Sequence, residues 1–404
     1  MSKAAPLLAG LLAAAAVASA DVPGAPSLDA LHLAQSNRAF ALALYDVLGD
    51  EGNIFYSPYS ISTALAMTYA GARNQTAEEM ARALHFDLPP QRLHKAFAEL
   101  MQRDQTVSGE KGIELAIANA LWGEKSITFR EDFLDLTRQY YGAGLRQVDF
   151  AHDTEAARRT INAWVADHTE DKIDELLKPA DVDAGTALVL TNAVYFKGLW
   201  LEQFDAEMTD DMPFHLAGGK TIDVETMTQS AKLRMYNAEN VRVLCLPYQG
   251  EKMSLVVILP NEVDGLAKLM QSLSPSAVEG WITQAQRQQV TVFLPKFKLE
   301  SRIDLNAGLG KLGMNAAFSG AADFSGMAKD QKLAISRVIH EACVEVSEEG
   351  TEAAAATGVV MMRTAISPTF RADHPFLFLI RNDLTGSWLF LGRLSAPEPS
   401  TGGE

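Results

Sequence analysis

The sequence predicts an α+β fold in which helices dominate the first part of the chain and strands the rest. Three observations carry this. Leu28, Leu31, Ala34, Phe40, Leu44 and Val47 recur at helical spacing. Short apolar or β-branched runs bounded by Gly, Pro or Asn crowd the middle and the end. Few strand–helix–strand alternations join them, so the sheets should be antiparallel or mixed.

The elements follow in order. Ser27–Leu48 reads as a first helix, and Pro58 suits the first turn of a second running to Ala72, because proline lacks a donor that would be orphaned there anyway. Thr76 and Glu79 have the spacing of a capping box opening a third. Asn74-Gln75-Thr76 is also a glycosylation sequon, but helix entry explains those residues without it. Strands are expected at 187–196, 253–259, 289–297, 376–380 and 388–391. Arg337–Ser347 alternates, with Ala342, Val344 and Val346 on a covered face and Glu341, Glu345 and Ser347 on an open one.

The chain has 404 residues, 48% apolar and 21% charged, with 35 Lys+Arg against 51 Asp+Glu. This excludes a disordered polymer, a collagen-like fibre and a disulfide scaffold. Met1–Ala20 holds Lys3, an apolar run from Leu7 to Val17 and Ala18-Ser19-Ala20, the pattern of a signal peptide cleaved before Asp21. The run is short for a membrane span, and an uncleaved anchor is the second reading. Cleavage leaves 384 residues and, with Lys3 gone, moves the formal charge from −16 to −17. The product is expected to be secreted or periplasmic. Acidity and the lack of any Lys/Arg-rich stretch argue against nucleic-acid and membrane partners. Cys245 and Cys343 sit in apolar, strand-like settings that suit buried free thiols better than a bridge.

Enzyme motifs fail on inspection. Gly308, Gly310 and Gly313 match a dinucleotide fingerprint, but Leu305, Leu309 and Leu312 at helical spacing account for the segment. His340-Glu341 begins a zinc motif whose second histidine is replaced by Val344. No nucleophile elbow and no metal-ligand spacing is present, so neither a cofactor nor a metal is expected.

The anomalous segment follows the alternating strand: Glu348, Glu349, Gly350, Thr351, Glu352, Ala353, Ala354, Ala355, Ala356, Thr357, Gly358. A flexible Ala/Gly loop is the plain reading. Taken two by two, however, Thr351, Ala353, Ala355 and Thr357 form a small, uncharged face. Such a face enters a sheet without clash or buried charge, so the segment suits two states.

At this point the chain resembles a serpin throughout Leu28–Pro397. The residues from Asn53 to Ile61, from Thr191 to Trp200, Leu294-Pro295-Lys296-Phe297, Ala322 to Met327, Val338-Ile339-His340-Glu341-Ala342 and Asp373 to Phe378 follow the family's motifs in the family's order. Length alone suggests two or three domains. The unbroken resemblance instead implies one domain, 28–397, with three sheets, about nine helices and an exposed reactive-centre loop over about 348–370. It lies between a short segment 21–27 and a flexible tail 398–404.

The resemblance implies a monomeric suicide inhibitor, not an enzyme: a serine protease, or secondarily a cysteine protease, cuts the loop, which then inserts into the central sheet and traps the acyl-enzyme. A non-inhibitory binding or carrier serpin is the alternative. Gly350 to Pro375 has the family's spacing of 25, which puts the cut bond at Thr364–Ala365; Arg363–Thr364 is the alternative. Thr364 suits an elastase-like or subtilisin-like enzyme, Arg363 a trypsin-like one. The segment Thr351–Thr364 would span about 46 Å as a strand. About ten new backbone bonds would contribute roughly 5–15 kcal/mol. By match, Ser57, Ser60, Asn192 and His340 form a sheet-opening network, Trp200 marks the loop's entrance, and Lys296 pairs with Glu348 there.

Overall fold

The apolar stripe of Leu28–Leu48 forms helix α1, whose start is fixed by the Ser27 hydroxyl accepting from the Ala30 N–H. This computed structural model describes residues 24–49, 51–108, 112–142, 144–329, 332–351 and 368–400. After α1 come β1 (Ile54–Tyr56), α2 (Pro58–Tyr69), α3 (Asn74–Ala83), α4 (Pro90–Ser108), β2 (Ile113–Glu124), α5 (Glu131–Tyr141), β3 (Arg146–Val148), α6 (Thr154–His168) and β4 (Leu188–Leu199). The chain continues through β5 (Asp210–His215), β6 (Thr221–Asn237), β7 (Val241–Pro247), β8 (Met253–Pro260), α7 (Leu266–Ser272), α8 (Pro275–Gln284), β9 (Gln286–Pro295), β10 (Phe297–Asp304) and α9 (Asn306–Lys311). It ends with β11 (Arg337–Val346), β12 (Gly350–Thr351), β13 (Thr369–Arg371), β14 (Phe376–Asn382) and β15 (Trp388–Leu394).

Among the described residues these are nine α-helices and two hydrogen-bonded sheets. The larger sheet runs β1-β15-β14-β8-β7-β6-β9-β13, with β5 beside β6. The third expected sheet is not separate by hydrogen bonding, because β6 pairs with β5 at one end and β7 at the other, and with β9 along most of its length. The smaller sheet runs β10-β11-β4-β2-β3, with β12 wedged between β11 and β4 at one end. Its inner face joins the main core with α2 behind it. Its outer face is covered by α6, where Ala157, Ile161 and Val165 meet Ala118, Val189, Ala193 and Ile339.

Several local expectations change. The run 289–297 is broken at Pro295–Lys296, where the chain leaves one sheet for the other. The capping box is absent: α3 starts at Asn74, the buried Thr76 hydroxyl accepts from the Asp323 N–H, and Glu79 accepts from Asn315 and Ala316. Asn74 itself donates to Asp323. Ser347 is buried rather than open. No disulfide joins the two cysteines; Cys245 is buried, and Cys343 is only half-buried. Within the tail, Ser400 is held by its N–H to Asp223 O. The Gly308–Gly313 segment lies on and just beyond α9, not at a strand-to-helix turn.

Candidate functional site: the seam of the six-stranded sheet

Strands β4 and β11 run parallel, from Val189 opposite Arg337 to Tyr195 opposite Cys343. Beyond that point they diverge, and β12 lies between them, antiparallel to both: Thr351 pairs with Gly198 on one side and Val346 on the other. Val346 therefore stands to Gly198 in the same register as His340 to Asn192. The two strands need only move apart, without sliding, to admit more of the chain between them. Parallel pairing is also the weaker kind per residue, so this seam is the natural line of parting.

The entrance is densely bonded. The Trp200 indole donates to Ser347 O at 2.9 Å, while the backbone N–H groups of Trp200 and Phe204 donate to the carbonyls of Glu349 and Glu348. The Gln203 amide also donates to Glu349 O, at 3.3 Å. Tyr248 stacks on Trp200 with ring centroids 4.8 Å apart, and its hydroxyl meets that of the fully buried Thr351 at 2.8 Å. Lys296 lies 3.4 Å from Glu348, whose carboxylate also accepts from Thr209, and 3.6 Å from Glu225. Glycines permit the close approach: a Cβ on Gly350 would stand 2.0 Å from Gly198 O, and one on Gly198 would strike the Tyr248 ring.

Deeper in the seam, Ser57, Ser60, Asn192 and His340 come together as one buried cluster. His340 Nδ1 faces Asn192 Oδ1, and its Nε2 accepts from the Ser57 N–H at 3.1 Å, so Nδ1 carries the proton. Asn192 Nδ2 donates to Ser60 Oγ at 2.6 Å and to Asn119 Oδ1, which also accepts from Ser60 Oγ at 3.0 Å. Ser57 Oγ accepts from the Ser60 N–H and donates to Leu389 O. Burial drives the His340 pKa down to about 3, so the imidazole is neutral. Every member is bonded, which is the condition for a buried polar network to be tolerated.

Asn119 and Tyr248 were not legible as site residues. Asn119 sits in the run Ile113–Glu124, and only its cross-strand pairing with Asn192 reveals it. Glu352, Ala353, Ala354, Ala355, Ala356, Thr357, Arg363, Thr364 and Ala365 lie outside the described residues, as does Met1–Ala20. Among the described residues no cluster suits a metal ion, and no helix is long and apolar enough to cross a membrane.

The family model described as serpin, serine protease inhibitor, matches residues 35–397. The leukocyte elastase inhibitor of Sus scrofa is 44% identical over 378 residues, covering 90% of this chain and 99% of that protein. This chain is a serpin. Serpin B8 of Homo sapiens is 43% identical over the same shares of the two chains. Among solved structures, uncleaved ovalbumin superposes on this serpin with a TM-score of 0.82 at 30% identity, covering 90% of this chain and all of that one. It follows that this serpin belongs to a family of protease inhibitors rather than to one defined by catalysis.

Proposed function

We propose that this serpin is a suicide-substrate inhibitor of an elastase-like serine endopeptidase, cut at Thr364–Ala365, whose cleaved loop becomes a new central strand between β4 and β11. The observation that carries the reading is Thr351, already seated between Gly198 and Val346. Continued, that register places 352–360 opposite Lys197–Val189 on one side and Glu345–Arg337 on the other. Thr351, Ala353, Ala355 and Thr357 then face the inner core, and Thr357 falls between Asn192 and His340. Both strands exchange a parallel partner for an antiparallel one, and the sheet gains a strand. About ten seated residues replace the fourteen of the sequence estimate, since the flanking strands end at Val189 and Arg337.

Relatives that are leukocyte elastase inhibitors favour the small residue Thr364 over Arg363. Incubation with elastase-like, subtilisin-like and trypsin-like enzymes tests this. A complex surviving a denaturing gel, with a released peptide beginning at Ala365, is the expected result. A peptide beginning at Thr364 would move the cut to Arg363, and turnover without any complex would favour a binding or carrier role. Export is part of the same reading: the secreted or periplasmic product should begin at Asp21.

A further inference from the structure

Glu341 lies on β11 inside the seam, opposite Ala193 of β4 and Arg302 of β10. Alternation turns it away from the His340 network, toward the outer layer of Ile339, Val189 and Ala193 beneath α6. Its Oε2 is buried and takes no hydrogen bond. The cross-strand cation is engaged elsewhere: Arg302 donates to Leu176 O at 2.7 Å and pairs with Asp181. The charged groups around the carboxylate are Arg302 and Glu300 from β10 and Lys178 and Asp174 from the segment after α6, two of each sign. From β4 it meets Ala193, and α6 contributes the apolar Ala157, Ile161 and Val165 to the same layer.

We propose that Glu341 is a positioning residue that sets how readily the seam parts, because a buried oxygen of its carboxylate takes no hydrogen bond while β11 and β4 are together and gains water when they separate. This rests on the loop-insertion reading above. Burial is the main influence on the carboxyl and pushes it up to about 7 from an ordinary 4.5. The stability that the neutral form contributes to the shut seam is therefore complete below pH 4.5 and lost as pH rises through about 7. His340, held near 3, does not titrate in that window. Glu341 is the group on β11 that makes the seam respond to pH.

The test compares the full-length serpin with Glu341→Gln, which keeps the shape and removes the charge. A synthetic peptide of the sequence 351–364 is offered to each intact protein from pH 5 to 8, and its uptake rate is followed alongside thermal unfolding. The parent's uptake should rise about tenfold, the equivalent of one pKa unit, over that range. The Gln variant should stay flat at the parent's low-pH rate. Its midpoint of unfolding should exceed the parent's at pH 8 and coincide with it at pH 5. Uptake with the same pH profile in both proteins overturns the role of Glu341 and leaves insertion standing. No uptake by either protein at any pH overturns insertion, and this proposal with it.

Discussion

His340 and Glu341 are neighbours on β11 and face opposite sides of one sheet, and their surroundings are opposites. The inner side is polar and complete: Ser57, Ser60, Asn119, Asn192 and His340 satisfy one another without a charge. The outer side is apolar around Glu341, whose carboxylate has a buried oxygen that takes no hydrogen bond. The same strand is thus held shut from within and loosened from without. A seam that must stay closed until its loop is cut, then open at once, needs both. The inner face supplies geometry and the outer face a bias.

The largest test of this contrast is at the inner face. Thr351→Arg places a long cation where the fully buried Thr351 pairs with Gly198 and its hydroxyl meets that of Tyr248, so the loop should no longer enter. The covalent complex should vanish from a denaturing gel while cleavage of the loop continues; undiminished complex would sink the insertion account. Next in size, His340→Ala removes the partner of Asn192 Oδ1 and of the Ser57 N–H, both buried. It should cost about 3 kcal/mol in denaturant unfolding, through unpaired polar groups. A loss near zero would mean that the network does not hold the seam. Tyr248→Phe deletes one hydroxyl contact to Thr351 and should cost about 1 kcal/mol, with looser seating of Thr351. The Lys296–Glu348 pair is partly exposed, and Lys296→Ala should change stability by less than about 1 kcal/mol.

Much of this was legible in the sequence, and the gaps have physical causes. The inner cluster was readable only through the family resemblance, because Ser57, Ser60, Asn192 and His340 each fall within a motif that carries it. The alternation put Glu341 on the side opposite Ala342 and Val344, where it lies, but it read that side as open. Glu341 Oε2 is instead buried beside the α6 layer, and Ser347 is buried too, its carbonyl accepting from the Trp200 indole. Asn119 and Tyr248 escaped because their roles come from cross-strand neighbours far away in the chain, which periodicity along one strand does not encode. The capping box failed for the same reason: Asp323, Asn315 and Ala316 claim the side chains of Thr76 and Glu79. The division into sheets was hidden by β6, a single 17-residue strand whose partners change along its length.

The central claim is that the cut loop becomes part of the sheet, and heat resistance tests it most directly. The serpin is nicked once in the loop by a protease that does not stay bound, and the thermal midpoints of intact and nicked protein are compared. Insertion predicts a large rise on nicking, because the seam exchanges a parallel pair for a complete antiparallel strand between β4 and β11. An unchanged or lowered midpoint in the nicked protein would contradict the account.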